Sequence, residues 1–228
     1  MKKLILTAFA LTTAVSVFAQ GTVIFSQRNS LGTTHVWGPS SATPTMSVMG
    51  YGPTDTVNGT NGTVPFAASG LALIGANGTG GKYGNATTLA QLLALNGTSG
   101  LTNEPSLVPD GQTTTFKTGA SLGAVTQITD TLGTLPVDAP VATLELVAWD
   151  NSSGLYPTWT QAATAWRAGT IAAGKSGVFL VNTLGGNVNT PPNFLPQSFN
   201  LYFVPEPSTF ALAGLGLAAL VAFRRRNS

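Results

Sequence analysis

The side chains that could do chemistry are few in this chain of 228 residues. It contains no cysteine, a single histidine, His35, and eight carboxylates. The lack of cysteine excludes a disulfide framework, a thiol nucleophile and a thiolate metal site. One histidine also excludes a histidine-rich metal centre built within one chain. We therefore expect neither a cofactor nor a metal site.

A serine motif occurs in the middle of the chain. Residues 119–123 read Gly-Ala-Ser-Leu-Gly, which matches the G-x-S-x-G turn of serine hydrolases. That turn needs a strand before the serine, a helix after it, and then an acid and a histidine later in the chain. No histidine follows Ser121, because His35 lies upstream, and the next segment is a predicted strand. We interpret the motif as a glycine-rich turn and predict that the protein is not an enzyme.

Paired carboxylates could support glycoside hydrolysis, but their spacing selects no pair. Glu145 and Asp150 are five residues apart near the end of one predicted strand, and an odd separation places them on opposite faces. Asp110, Asp130 and Asp138 lie in turn-like sequence, where aspartate is favoured because it hydrogen-bonds nearby backbone. An exported hydrolase therefore stays open only as a minor alternative.

Four tryptophans raise the question of sugar binding, because an exposed indole ring can stack on a sugar. Tryptophan is more often found in the core of a β-rich protein. Trp37 and Trp159 are the two that we assign to sugar stacking if the protein binds a polysaccharide. Trp149 lies in the most strand-like segment and is expected in the core.

The charge is low, and half of the basic residues lie at the two ends. Charged residues make up 8% of the chain, where a soluble domain has about 25%. The net charge is +2, but five of the ten basic residues are at the two termini. Residues 20–203 contain five basic and seven acidic residues, so this part is mildly acidic. It has no basic face for phosphates, and we predict no nucleic-acid partner.

The first nineteen residues have the pattern of a secretory signal peptide. Lys2 and Lys3 precede an apolar run over residues 4–18, and the small residue Ala19 precedes Gln20. A basic start, an apolar stretch and a small residue at the cleavage position define such a signal. We predict a signal helix over residues 1–19, export through the secretion translocon, and cleavage by signal peptidase between Ala19 and Gln20.

A second uncharged apolar run lies near the other end. It occupies residues 210–223, and residues 208–223 give sixteen positions for a helix. A spanning helix needs about 20 residues, with a lower limit near 17, so this one is short. Basic flanks stay on the cytoplasmic side of a membrane. We predict a single transmembrane helix over 208–223, held by a stop of three arginines, Arg224, Arg225 and Arg226.

The residues just before this run are Val204, Pro205, Glu206 and Pro207. With the Pro-Glu-Pro tripeptide, the short apolar helix and the arginine cluster in that order, residues 204–228 resemble a PEP-CTERM sorting domain. The resemblance implies a bacterial export, held transiently in the inner membrane, that an exosortase recognises and cuts near residues 205–207. The body is then released or attached at the cell surface, often beside exopolysaccharide. A permanent tail anchor is the alternative.

The body, residues 20–203, reads as an all-β domain of the β-sandwich or jelly-roll kind. Asn-Gly pairs recur along it and favour tight hairpin turns, and threonine, which is branched at Cβ, favours strands. We predict strands over 22–27, 68–74, 113–118, 124–129, 141–149, 177–181 and 198–203. Residues 88–95 are assigned to a further strand, and the alanine-rich stretch 158–168 is assigned to a short helix. We expect at most one or two such helices.

Overall fold

The structure is a computed structural model that describes residues 20–51, 56–59 and 62–205. The predicted signal helix over 1–19, including Ala19, lies outside these residues. So do Glu206 and Pro207, the predicted span over 208–223 and the arginine stop at 224–226. Within the described residues, no helix is both long and apolar enough to cross a membrane.

Thirteen strands and one α-helix make up the regular structure of the described residues. In chain order the strands are β1 (Gln20–Phe25), β2 (Arg28–Asn29), β3 (Gly32–Thr33), β4 (Val36–Trp37), β5 (Met49–Tyr51), β6 (Thr56–Gly59), β7 (Gly62–Pro65), β8 (Thr88–Asn96), β9 (Val108–Thr114), β10 (Ile128–Pro136), β11 (Val141–Asp150), β12 (Ala173–Asn182) and β13 (Ser198–Asn200). The helix, α1, is Trp159–Arg167. The β-rich class is confirmed, and the sandwich or jelly-roll assignment stays a prediction.

The strands form four sheets. A four-stranded antiparallel sheet has the order β12-β11-β8-β9, and a five-stranded sheet has the order β4-β13-β5-β6-β7. In the second sheet β13 runs parallel to β4 and antiparallel to β5. The pairs β1-β10 and β2-β3 form two small sheets. The final strand of the body is therefore an inner strand, because it has a partner on each side.

β11 is buried on both faces, which explains its almost continuous apolar sequence. Its fully apolar face, Ala142, Leu144, Leu146 and Ala148, lies in the main core. The other face carries Val147 and Trp149, which pack in a second cluster with α1. The same strand thus joins two cores, and α1 covers the face that the sequence left half polar.

Helix α1 confirms the predicted short helix. Thr158 precedes it, and the side-chain oxygen of Gln161 accepts a hydrogen bond from the Thr158 backbone N–H at 3.3 Å, which satisfies a donor at the helix start. Trp159, Ala162, Ala163 and Trp166 form its buried stripe. Because alanine is small, the helix approaches β11 closely and the two indoles fill the space between them.

Three predicted strands were wrong or displaced. Residues 66–69 form a short 3-10 helix, and Gly70 has φ +70°, so the strand predicted over 68–74 is reduced to an isolated bridge at Leu73. The strand predicted over 113–118 lies earlier in the chain, as β9. The strand predicted over 124–129 lies later, as β10. Between them only Phe116 and Val125 form a bridge.

Candidate functional site: the end of the body

The segment that ends the body begins with a buried asparagine in β13. Asn200 is only 1% exposed. Its side-chain oxygen accepts a hydrogen bond from the Val48 N–H at 2.7 Å, and its amide group donates to the carbonyl oxygens of Met46 and Leu201, each at 2.8 Å. All three bonds are made to backbone, so this side chain fixes the neighbouring loop to the last strand.

Gly174 lets this strand lie close against β12. A Cβ at position 174 would be 2.3 Å from the Asn200 carbonyl oxygen, which no side chain tolerates. The backbone of Tyr202 pairs with that of Ala173, with N–H to carbonyl distances of 3.0 and 3.2 Å. The residues after β13 therefore continue as a paired segment although they are not a regular strand.

Backbone bonds hold the residues around Tyr202 as well. The Leu201 N–H donates to the Trp37 carbonyl at 2.8 Å, and the Phe203 N–H donates to the Pro44 carbonyl at 2.9 Å. Leu201 is fully buried, and Phe203 packs against the main core. The predicted last strand, 198–203, is shorter as a strand, but its backbone is bonded through residue 203.

Trp166 also holds the end of the body, from the side of α1. We call the contacts that hold residues 199–204 against the body the anchor. Its indole N–H donates to the Tyr202 carbonyl at 2.9 Å, and its ring meets the Tyr202 ring edge-on with centroids 5.2 Å apart. Val204 packs against the same apolar cluster, whereas Pro205 is exposed. Contacts with the body thus continue one residue past the predicted boundary at 203.

Of the predicted sorting residues, the structure describes Val204 and Pro205. At the other predicted processing site it describes Gln20, which is exposed at the start of β1 and pairs with Pro136 of β10. The body is therefore ordered up to the residues next to both predicted cuts.

A cluster of charged side chains lies beside Tyr202. The Lys175 ammonium contacts Oε1 of Glu104 at 2.6 Å and Oε2 of Glu145 at 3.1 Å. Together with Ser47 and Tyr202 they line a cavity of about 210 Å³. Sequence analysis missed this cluster because Glu104 and Lys175 are 71 residues apart, and no local pattern connects them.

Glu145 is the buried member of this cluster. Its side chain is 1% exposed, and its Oε1 has no hydrogen-bond partner among the described residues. Burial raises the pKa of Glu145 to about 7, although the neighbouring Lys175 lowers it. The pKa of Lys175 is raised, because hydrogen bonds and charges from the two carboxylates outweigh the effect of its burial. Glu145 therefore changes charge near neutral pH.

The two tryptophans assigned to sugar stacking are both buried, which corrects that assignment. Trp37 is 8% exposed and stacks on Phe66 with ring centroids 5.5 Å apart. Trp159 is 5% exposed and lies between Trp149 and Trp166, at 5.7 and 5.9 Å. Neither ring offers a face to a sugar, because aromatic neighbours already cover it.

The serine of the G-x-S-x-G sequence lies in a short 3-10 helix, Gly119–Ser121, and not in a strand-to-helix turn. The fold does bring Ser121 and His35 to one small cavity of about 80 Å³, although the chain order argued against it. No carboxylate is among the residues that line this cavity. A serine triad needs an acid that orients its histidine.

The aspartates predicted in turns make many backbone hydrogen bonds. Asp110 accepts them from the N–H groups of Gly133 and Thr134, at 2.7 and 3.0 Å, and Asp138 accepts them from the N–H groups of residues 187–189. Within the described part of the chain, no group of three or more His, Asp or Glu side chains is placed to hold a metal ion.

A groove lies beside β12, the edge strand of the four-stranded sheet, and residues 179–182 of that strand line part of it. Two adjoining cavities of about 430 and 470 Å³ share Asn29 and Asn193. The first is polar and includes Arg28 and Gln127. The second includes Phe179 of β12. Amides and a guanidinium thus line the first cavity, and an aromatic ring lines the second, which shares two asparagines with it.

Comparison with known proteins adds one finding, at the end of the chain. Residues 203–226 match the family model described as the PEP-CTERM protein-sorting motif. No curated protein and no solved structure matches the chain. The motif supports exosortase-dependent sorting of an exported protein, and it overlaps the anchored segment at residues 203 and 204.

Proposed function

We propose that this chain is an exported bacterial protein of the cell surface or extracellular matrix, with no catalytic activity of its own. The observation that carries the proposal is the sorting motif over residues 203–226. The basic and apolar start of the chain supports it, because a signal peptide and a sorting tail act in the same pathway. The translocon and signal peptidase handle the first end, and an exosortase handles the second.

In this proposal the precursor is held in the inner membrane only transiently. The predicted span over 208–223 holds the precursor with its body outside the cytoplasm, and the arginines at 224–226 keep the tail end inside. Cutting near the Pro-Glu-Pro tripeptide separates the body from the span. The body, with twelve charges in residues 20–203, then serves in the surface layer or matrix.

Substitution of the central residue of the tripeptide tests this proposal in the producing bacterium. Glu206→Ala and deletion of residues 210–226 should each leave the precursor uncut or mislocalised, with processed protein reduced at least about tenfold, because a central contact of an enzyme interface is lost. Lys82→Ala, which removes an exposed charge far along the chain, is the control. Normal processing of both tail variants would refute the sorting role.

The groove beside β12 favours a second function, binding of exopolysaccharide. Asparagine, glutamine and arginine side chains bind sugar hydroxyls, and Phe179 supplies an apolar surface in the adjoining cavity. This replaces the two buried tryptophans as the residues that would contact a glycan. The ligand would be neutral or mildly acidic, since Arg28 is the charged side chain that lines the groove.

A pull-down with the producer's own exopolysaccharide tests this second function. Asn193→Ala and Phe179→Ala should each weaken retention by about tenfold, as expected for a central contact. Asn187→Ala, on an exposed turn outside the groove, is the control. Retention unchanged in both groove variants would remove glycan binding from this site.

A further inference from the structure

We infer that the folded body sets the upstream limit of the exosortase substrate, so that the scissile bond lies on the C-terminal side of Pro205 and the enzyme's substrate segment begins at that residue. Trp166, Tyr202 and Gly174 act as positioning residues for this reaction. The inference rests on the proposed function, because it assumes that the tail is cut by an exosortase. It concerns which residues the enzyme can reach.

The first support is that every residue from 199 to 203 is bonded to the body through its own backbone. Their N–H groups donate to carbonyl oxygens of residues 35, 48, 37, 173 and 44 in that order, at 2.8 to 3.3 Å. A protease that binds its substrate as an extended strand needs these same backbone groups. They are already occupied, so the enzyme cannot bind this stretch while it stays docked.

The second support is that the anchor closes on Tyr202 from two directions. Its carbonyl oxygen accepts hydrogen bonds from the Ala173 N–H at 3.2 Å and from the Trp166 indole at 2.9 Å. Gly174 allows the approach, since any Cβ there would overlap the Asn200 carbonyl. To free Tyr202, the chain must break both bonds and separate two aromatic rings.

The third support is the short distance between the anchor and the membrane. Val204 packs on the body and Pro205 is exposed, while the predicted span begins at residue 208. Three extended residues cover only about 10 Å. Contacts of the described chain with the body therefore end at Val204, and the predicted span leaves residues 205–207 as the sequence between the body and the membrane.

The test uses the full chain in the producing bacterium and measures the C-terminal peptide of the product and the rate of processing. The product should end at Pro205 or later. Insertion of Gly-Ser-Gly-Ser between Val204 and Pro205 should speed processing about fivefold, because the enzyme gains substrate that is not docked on the body. A fivefold change in the docking equilibrium corresponds to the net contribution of about one hydrogen bond. An identical insertion between Val188 and Asn189, on an exposed turn, is the control and should leave the rate unchanged.

Gly174→Ala gives an independent reading without altering the tail. It should loosen the docked segment, raise the rate by a similar factor and allow cuts upstream of Val204. Gly80→Ala, where a Cβ meets no atom within 4 Å, is the matched control. In the chain with the inserted linker, Gly174→Ala should add no further increase, because its effect on processing acts through docking; a general loss of stability would persist there.

A wild-type product that ends at or before Val204 would overturn the inference. So would a processing rate that the linker at 204–205 leaves unchanged. These failures differ from failure of the proposed function. If Glu206→Ala is cut as fast as the wild-type chain, an exosortase is not the enzyme, whatever the position of the cut.

Discussion

Two contacts between elements are filled by opposite kinds of side chain. One is the contact of β11 with α1, and the other is the junction of β9 with β10. At the first, Trp149, Trp159 and Trp166 fill the space with indole rings. At the second, Asp110 and Asp130 are 7% and 0% exposed, and their carboxylates accept hydrogen bonds from backbone N–H groups. One region is held by burial of apolar surface, and the other by hydrogen bonds to buried carboxylates.

The two regions differ in how their stability depends on pH. Apolar burial depends on area and is insensitive to pH. A buried carboxylate depends on its protonation and on every partner being present. Asp130 Oδ2 has no hydrogen-bond partner among the described residues, and it lies where a Cβ of residue 111 would be, so Gly111, at φ +69°, makes room for it. The β9–β10 junction is therefore the more easily perturbed of the two.

Removal of an indole from the apolar region should have the largest effect. Trp149 is fully buried, and its N–H donates to the Tyr156 carbonyl at 2.7 Å. Trp149→Ala should lower the free energy of unfolding by about 4 kcal/mol, because it leaves a large cavity. Denaturant unfolding of the body measures this loss. A loss below about 1 kcal/mol, the scale of a surface substitution, would contradict the role of this cluster.

Loss of a carboxylate from the polar region should come next. Asp110 accepts hydrogen bonds from Gly133 and from both the N–H and the hydroxyl of Thr134. Asp110→Ala should lower the free energy of unfolding by about 3 kcal/mol, because the N–H groups of Gly133 and Thr134 lose a buried carboxylate acceptor. The same unfolding experiment measures it, with Asp138→Ala, on the exposed surface, as the comparison. If Asp138→Ala costs more, the buried junction is not the main polar support.

The pH dependence of the two regions should differ by a smaller amount. Burial raises the pKa of Asp130 from 3.8 to about 6, so the folded body binds more protons than the unfolded chain in this range. Its stabilising contribution is present below pH 4 and is lost as the pH rises to 6, by roughly 2 kcal/mol. Asp130→Asn should flatten this part of the stability curve.

Asp138 gives the control for this titration because its pKa moves the other way. Backbone N–H groups, that of Asn189 above all, lower the pKa of Asp138, so its contribution is present at neutral pH and is lost on acidification. Asp138→Asn should remove a loss of stability on acidification below about pH 4 and leave the fall between pH 4 and 6 in place. An unchanged curve for Asp130→Asn between pH 4 and 6 would show that this carboxyl does not titrate as described.

The same contrast explains which elements of the fold could be predicted from the sequence. β11, β8 and α1 were predicted because apolar periodicity specifies them and each packs through its own side chains. β9 and β10 were misplaced because Pro109, Gly111 and Gly133 resemble turn residues, whereas these strands pair with β8 and β1. Asp110 adds hydrogen bonds from Gly133 and Thr134, which are more than twenty residues away. A carboxylate that bonds distant backbone leaves no periodic signal in the sequence.

The end of the body shows the same limit at the functional site. The sorting motif could be predicted from its residue order alone, because its elements are contiguous. The anchor at Tyr202 could not, because Trp166, Ala173 and Gly174 reach it through the packing of α1 and β12. The buried Trp37 and Trp159 were misassigned for the same reason, since Phe66 and Trp149, which pack against them, belong to other elements of the fold.

The intact mass of the exported protein tests the account most directly, because it fixes both ends at once. We predict a chain that begins at Gln20, ends at Pro205 or shortly after it, and lacks residues 210–226. A mass equal to the full chain, or one that retains the apolar run, would contradict processing by an exosortase. A mass that ends at or before Val204 would leave sorting intact and contradict the anchored end of the body.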